Sequence, residues 1–232
     1  MNLTVDIGNS QVKRAWFDGD RMLHEPGTDC PWRAERAIVC ASGRCDVASL
    51  ALPAERVMLL TAATALPITL DYATPETLGP DRIAAACGAW KVGEGSPAVI
   101  VDAGTCITVD YLDGTGTYRG GAILPGMGIN FRALHTFTAK LPLLNIGDIT
   151  SVPVTGRSTA ECMTAGVVAA ARYAVAGFVA HYRSEEPGTQ VMLTGGDAAL
   201  LWGHGALQAE GGRIEPNLVM IGLNEILKTN EK

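Results

Sequence analysis

Concentrated positive charge is missing from this sequence. Its 18 Lys and Arg are spread among 24 Asp and Glu, giving a formal net charge of −6. No basic cluster occurs, and a nucleic-acid surface needs one to offset the phosphate backbone, so that class of partner is excluded. Cysteine pairs at metal or redox spacing are missing too. The six cysteines, at 30, 40, 45, 87, 106 and 162, form no Cys-x-x-Cys, and no histidine stands at ligand spacing beside them. Cys87 and Cys106 fall inside apolar runs and read as buried small hydrophobes. His24, His135, His181 and His204 enter no Ser-His-Asp or Cys-His pattern. A basic N-terminal segment followed by an apolar core is absent, so no signal peptide is expected and reducing cytoplasm is the expected compartment. The longest apolar stretch, Met163 to Ala180, approaches the ~20 residues of a membrane span. It is built mainly from Ala, Gly and Val and contains Arg172 and Tyr173, so it reads as a tightly packed soluble helix and no membrane association is expected.

What is present is a repeat. Leu3-Thr4-Val5-Asp6-Ile7-Gly8-Asn9-Ser10 and Val99-Ile100-Val101-Asp102-Ala103-Gly104-Thr105 are both β-branched, apolar runs that end in an aspartate, a spacer and a glycine. Both continue into a second strand and an Asp-Gly turn, at Asp18-Gly19 and Asp113-Gly114. A duplicated hairpin implies two similar lobes. With 232 residues, 47% of them hydrophobic, the chain can give each lobe a core. The best linker is Gly93 to Pro97, which sets expected domains at 1–96 and 97–232.

The turns suggest phosphate chemistry. A glycine lets backbone N–H groups converge on an anionic oxygen, and Ser10 and Thr105 add hydroxyl donors. An aspartate beside a phosphate is useful when it holds a hydrated cation, which points to Mg²⁺ near Asp6. Asp81 has two readings. It stands where a helix N-cap is expected ahead of the Ala-rich run Ile83 to Lys91, and the same carboxylate facing a substrate hydroxyl would be a general base. Arg82 reads as a surface residue or as a bidentate binder of a carboxylate or phosphate.

Further along, Trp32 to Arg36 and Val47 to Ala51 read as short helices. Met127 to Lys140 reads as a helix with Phe131, Leu134 and Phe137 on one side. Leu141 to Ser158 is an expected long loop, and Ala160 to Tyr182 an expected helix for which Ser158 or Thr159 is a candidate N-cap. Gln190-Val191-Met192-Leu193-Thr194-Gly195-Gly196-Asp197 is a third strand-to-glycine turn, and Asn217 to Leu227 forms an amphipathic helix.

Taken in order, Asp6-Ile7-Gly8-Asn9-Ser10, Gly79-Pro80-Asp81-Arg82, Asp102-Ala103-Gly104-Thr105 and Gly120-Gly121-Ala122-Ile123-Leu124-Pro125-Gly126 resemble the motif series of type III pantothenate kinases. The resemblance spans nearly the whole chain. It implies an α/β fold of two ribonuclease-H-like lobes of the sugar kinase, Hsp70 and actin superfamily closing over ATP, with helix 217–228 packing back on the first lobe. The implied reaction is ATP-dependent phosphorylation of pantothenate to 4′-phosphopantothenate, the first step toward coenzyme A, with a homodimer as the working form. The ATP-binding residues it implies are Asp6, Ile7, Gly8, Asn9, Ser10, Gln11, Val12 and Lys13 on one lobe, with Gly104, Thr105, Gly195 and Gly196 on the other. It makes Asp81 the proton acceptor and assigns pantothenate to Tyr72, Gly79, Pro80, Asp81, Arg82 and Thr159. Asp102 is implied to bind a monovalent cation, K⁺ or NH₄⁺. Ser10 departs from the commoner threonine and Cys106 from the usual alanine, and the chain is somewhat short. The alternatives are another acceptor kinase or a phosphatase of the same superfamily, or a non-catalytic transcription accessory member.

Overall fold

The computed structural model describes residues 1–8, 11–24, 34–41, 52–203, 205–208 and 212–231. In chain order the elements are β1 (Asn2–Ile7), β2 (Val12–Asp18), β3 (Arg21–His24), β4 (Arg36–Ala41), β5 (Val57–Leu59), β6 (Thr69–Leu70) and α1 (Pro80–Val92). Next come β7 (Ala98–Ala103), β8 (Cys106–Leu112), β9 (Thr117–Pro125), α2 (Met127–Thr136), α3 (Thr159–Thr164) and α4 (Ala170–Glu185). The chain closes with β10 (Gln190–Thr194), α5 (Ala198–Trp202), α6 (Gly205–Gln208), β11 (Arg213–Ile214) and α7 (Leu218–Thr229).

The duplication shows in the sheet orders. One sheet runs β3-β2-β1-β4-β5; the other runs β9-β8-β7-β10-β11 with β6 added beyond β9. In the first, β1 and β2 form an antiparallel hairpin and β4 joins β1 in parallel. The outer pairs β4–β5 and β10–β11 are both parallel. The matching inner strands β1 and β7 carry Val5 and Val99-Ile100-Val101, all fully buried, which is why both read as apolar runs.

Contacts divide the chain into two compact units that interleave along it. The first takes residues 1–98, 111–120 and 217–232, and the second takes 99–110 and 121–216. The division therefore runs through the β8–β9 hairpin. Its tip belongs to the first unit, where Thr69 of β6 pairs with Thr117 of β9.

In the first unit, β1 alternates. Leu3, Val5 and Ile7 join an apolar cluster with Trp16, Ala37 and Val39, while Asn2, Thr4 and Asp6 form a polar row on the opposite face. Helix α7 covers that row: Asn2 Nδ2 donates to Asn224 Oδ1 at 3.1 Å, and the Thr4 hydroxyl lies 3.2 Å from Met220 Sδ. Helices α1 and α7 approach closely because Gly88 backs onto the Leu218 carbonyl and Gly222 onto the Ala84 carbonyl, leaving no room for a methyl group at either site. The pair is tied further by Asp20, which bridges Lys91 of α1 and Lys228 of α7.

In the second unit, α2 ends at Thr136, four residues before the expected Lys140. Side chains end it: the Thr138 hydroxyl donates to the Leu134 carbonyl at 2.7 Å, and the His135 ring bonds the Leu141 carbonyl at 2.8 Å. Phe131 is buried, but Phe137 lies beyond the helix and is 85% exposed. The expected helix over Ala160 to Tyr182 forms with a π-turn, Ala165–Ala169, between α3 and α4. Among the described residues, only the run Thr159–Glu185 is long and apolar enough to cross a membrane. Met163, Val167, Val168, Ala171, Val175 and Val179 are buried, a stripe at helical spacing. Arg36 opens β4 instead of closing a helix. The expected helix at Val47 to Ala51 and the residues Trp32 and Arg33 lie outside the described residues.

Candidate active site

The first unit gathers its polar groups at the end of the β1 polar row. Asp6 stands opposite Lys13 in the antiparallel pair and level with Cys40 in the parallel one, so three side chains share a face. Gly8 closes the turn beyond, its N–H donating to the Gln11 carbonyl at 3.1 Å. Gln11 and Val12 are exposed, and Asn9 and Ser10 lie outside the described residues.

Helix α1 brings the second carboxylate. Its N-cap is Gly79, Pro80 takes the first helical position and Asp81 the second. The expected N-cap role of Asp81 is therefore corrected. Its carboxylate accepts instead from the Arg82 N–H at 3.0 Å. Gly79 makes this possible, because a Cβ there would lie 2.5 Å from Asp81 Oδ1. Arg82 is only 8% exposed, where the sequence left a surface position open. Tyr72 packs on Tyr118 with ring centroids 6.1 Å apart, and a Cβ at Gly120 would touch its ring.

Burial pushes the Asp6 pKa above its ordinary value, and the nearby Asp81 carboxylate pushes it the same way; Lys13 and a hydrogen bond from the Cys40 thiol act in the opposite direction. Asp6 Oδ1 is buried with no hydrogen-bond partner among the described residues. A buried acceptor without a partner costs about 1–3 kcal/mol unless a ligand completes it. Among the described residues no three His, Cys, Asp or Glu side chains form a metal cage. A lone orphan carboxylate oxygen beside a second carboxylate suits Mg²⁺, which takes one or two protein carboxylates and fills its other positions with water and phosphate oxygens. Cys40 was not singled out in the sequence. The one signal for it is the equal length of the runs Leu3-Thr4-Val5-Asp6 and Ala37-Ile38-Val39-Cys40, which pair residue for residue.

The second unit gathers backbone around Asp102. Strands β7, β9 and β10 end in glycine-bearing turns at Gly104-Thr105, Gly126 and Gly195-Gly196. The Gly126 N–H donates to the Thr105 carbonyl at 3.1 Å, and the Asp197 N–H to the Ala103 carbonyl at 2.9 Å. Gly195 has φ +91, and a Cβ there would fall 2.5 Å from Asp102 Oδ1. Only glycine satisfies both constraints. Thr105 is exposed and Asp102 half-buried. These turns and the carboxylate beside them offer what an anionic phosphate chain and a counter-cation need: glycines that let a ligand approach the backbone, an exposed hydroxyl and an acidic side chain.

Thr159 also lies in the second unit. Ser158 is the N-cap of α3, its hydroxyl accepting from the Glu161 N–H at 3.2 Å while the Glu161 carboxylate accepts from the Arg157 N–H at 2.6 Å. Capping is thus done by Ser158, and Thr159 is left to line an open groove of about 760 Å³ with Leu134, Leu141, Arg157 and Met163.

Among solved structures, a protein from Campylobacter jejuni described as a Baf family transcriptional activator aligns over 98% of both chains with TM-score 0.63 and 21% identity. The activator of 2-hydroxyisocaproyl-CoA dehydratase from Clostridium difficile, with bound ADPNP, aligns over 100% of this chain and 98% of its own with TM-score 0.52 and 13% identity. The architecture is the actin-like ATPase and sugar-kinase fold. At the level of sequence, the type III pantothenate kinase of Phocaeicola vulgatus is 35% identical, with all of both chains covered. The type III pantothenate kinase family model matches residues 37–181, and the chain belongs to that family.

Proposed function

We propose that this chain performs the family's reaction, ATP-dependent phosphorylation of pantothenate to 4′-phosphopantothenate, with Asp81 as proton acceptor and Asp6 as the group that holds Mg²⁺. The observation that carries this reading is Asp6 itself, a carboxylate with one buried oxygen unpartnered among the described residues, kept beside a second carboxylate. A protein keeps so costly an arrangement where a ligand completes it. Bound there, Mg²⁺ would supply the positive charge that phosphoryl transfer requires.

Each residue then has a task. Asp81, its carboxylate steadied by the Arg82 N–H, takes the proton from the primary hydroxyl of pantothenate. The Gly8 turn and Lys13 face the β,γ-phosphates, with Ile7, Gln11 and Val12 shaping that turn and Asn9 and Ser10 completing it. Thr105 holds a phosphate oxygen through its hydroxyl, Gly104, whose N–H donates to the Cys106 carbonyl, lets the phosphate come close to the backbone, and the Gly195-Gly196 turn lies flat against the adenosine. Asp102 holds a monovalent cation, K⁺ or NH₄⁺. Arg82 pairs with the pantothenate carboxylate in the bidentate manner of a guanidinium. Tyr72, Gly79 and Pro80 border the acceptor, and Thr159 contacts it. The working form is a homodimer, a reading supported by exposed Phe137, Val154 and Tyr173 in the second unit.

Phosphoryl transfer passes through a loose transition state, so positioning and charge neutralisation outweigh base strength. Asp6→Asn and Asp102→Asn are therefore expected to lower turnover at least as far as Asp81→Asn does, by about 100-fold or more, with circular dichroism unchanged. Asp102→Asn should also lose the gain that potassium gives over sodium. Near-normal turnover in Asp6→Asn would remove the reading.

A further inference from the structure

We propose that Cys40 is a positioning residue for Asp6: its thiol holds the carboxylate in the one orientation that leaves Oδ1 open to a ligand. The inference rests on the reading of Asp6 given above and deepens it.

The geometry is set by the sheet. Strand β4 lies parallel beside β1 with Cys40 level with Asp6, so the two side chains project from the same face. Cys40 has no solvent exposure, and its thiol hydrogen-bonds the Asp6 carboxylate. The rest of the strand tip, Ala37, Ile38 and Val39, is apolar and fully or almost fully buried. Cys40 is the residue of β4 that meets β1 where the polar row ends in a carboxylate.

The chemistry of the donor matters. A thiol ordinarily titrates above neutrality. Buried in register with Asp6, it is the partner with a hydrogen to give, since an ionised carboxylate only accepts. A neutral, weak donor fixes direction without cancelling charge. Lys13, across the hairpin on the other side, supplies charge but carries it on a long flexible stem. The two neighbours thus divide the work. Cys40 orients the carboxylate, and Lys13 tempers its burial.

Simple packing is the competing account, and Cys87 shows what that looks like. It is also buried, within the small-residue face of α1, but no carboxylate hydrogen-bonds its thiol among the causes that shift it. If Cys40 only filled space, alanine or serine would serve equally. If it orients Asp6, serine keeps the function because a hydroxyl still donates, while alanine frees the carboxylate to rotate.

The test has one arm that needs no activity. The S–H stretching band of Cys40 is isolated by infrared difference between wild type and Cys40→Ala, using the full chain without nucleotide or metal. It is expected at lower frequency than the band of an exposed thiol, and to move up in Asp6→Asn, in which Cys40 itself is untouched. In steady-state assays Cys40→Ala should lose about 10–100-fold in kcat, the usual range for groups that orient a ligand-bearing side chain. KM for pantothenate should be unchanged, and Cys40→Ser should recover most of the loss. A band that ignores Asp6→Asn, or Cys40→Ala turnover equal to wild type, overturns the proposal while an inactive Asp6→Asn leaves the reading of Asp6 intact. If wild type forms no 4′-phosphopantothenate, that reading fails by itself, and the infrared band still decides whether the thiol holds the carboxylate.

Discussion

Asp6 costs the folded chain stability at neutral pH, and that sign is measurable. Its folded pKa is raised, by burial first and by Asp81 next. A raised carboxylate contributes its stability fully below the ordinary carboxylate pKa, and that contribution is lost as pH rises through the folded value. Asp6→Asn removes the buried charge, so its Tm at pH 7 should exceed that of wild type while its turnover collapses. The Tm gain should shrink as pH is lowered toward 4, the ordinary carboxylate range. Scanning calorimetry at several pH values checks both halves, and a lower Tm at pH 7 would contradict the assignment of cost. Asp6 and Asp81 drew notice in the sequence because each stands two residues from a glycine, next to the end of its element. The cap role of Asp81 was misread because Gly79, with no side chain to signal it, takes the N-cap and Pro80 the first helical position. Cys40 was illegible because nothing local announces which residue a parallel strand more than thirty positions away will place beside Asp6.

Among the elements, the α1–α7 pair decides whether the first unit holds together. Gly222 touches the Ala84 carbonyl with no space for a methyl group, so Gly222→Ala forces the helices apart. Overpacking of this kind costs about 1–3 kcal/mol, more than the ~1 kcal/mol that alanine gains in helix propensity over glycine. Urea unfolding should therefore show a lower midpoint; an equal or higher one would mean the helices yield freely. The same pair carries the pH response of the unit. Asp20 is held at a pKa of about 2 by its hydrogen bonds to Lys228 and Lys91. A depressed carboxylate contributes stability above its ordinary pKa and loses it as pH falls through the folded value. Wild type should exceed Asp20→Asn in Tm at pH 6, and the difference should close between about pH 4 and 2. A constant difference down to pH 2 would contradict the role of this ion cluster. The apolar patterning revealed both helices in the sequence. Their glycine contact was not visible there, since a glycine inside a helix looks the same whether it faces solvent or a carbonyl. The early end of α2 escaped as well, because Thr138 and His135 terminate it by side-chain bonds that periodicity does not record.

For the whole molecule, the duplication is the feature that sequence and structure share most fully. The repeated strand, glycine turn and strand become matching sheet orders, β3-β2-β1-β4-β5 and β9-β8-β7-β10-β11. The units nevertheless interleave: the C-terminal helix joins the first, and so does the tip of the β8–β9 hairpin. The linker expected at Gly93 to Pro97 lies just before the crossing at residue 98, and a linear reading of linkers has no means of finding the others. On this reading the fold and its acidic pair serve transfer from ATP to pantothenate. The direct measurement is ADP release, in potassium buffer with Mg²⁺, across pantothenate, hexoses and glycerol, with the product of the pantothenate reaction identified by mass. Rapid release and 4′-phosphopantothenate are expected with pantothenate, and background release with the other acceptors. Release stimulated by a hexose or glycerol and not by pantothenate would contradict that reading.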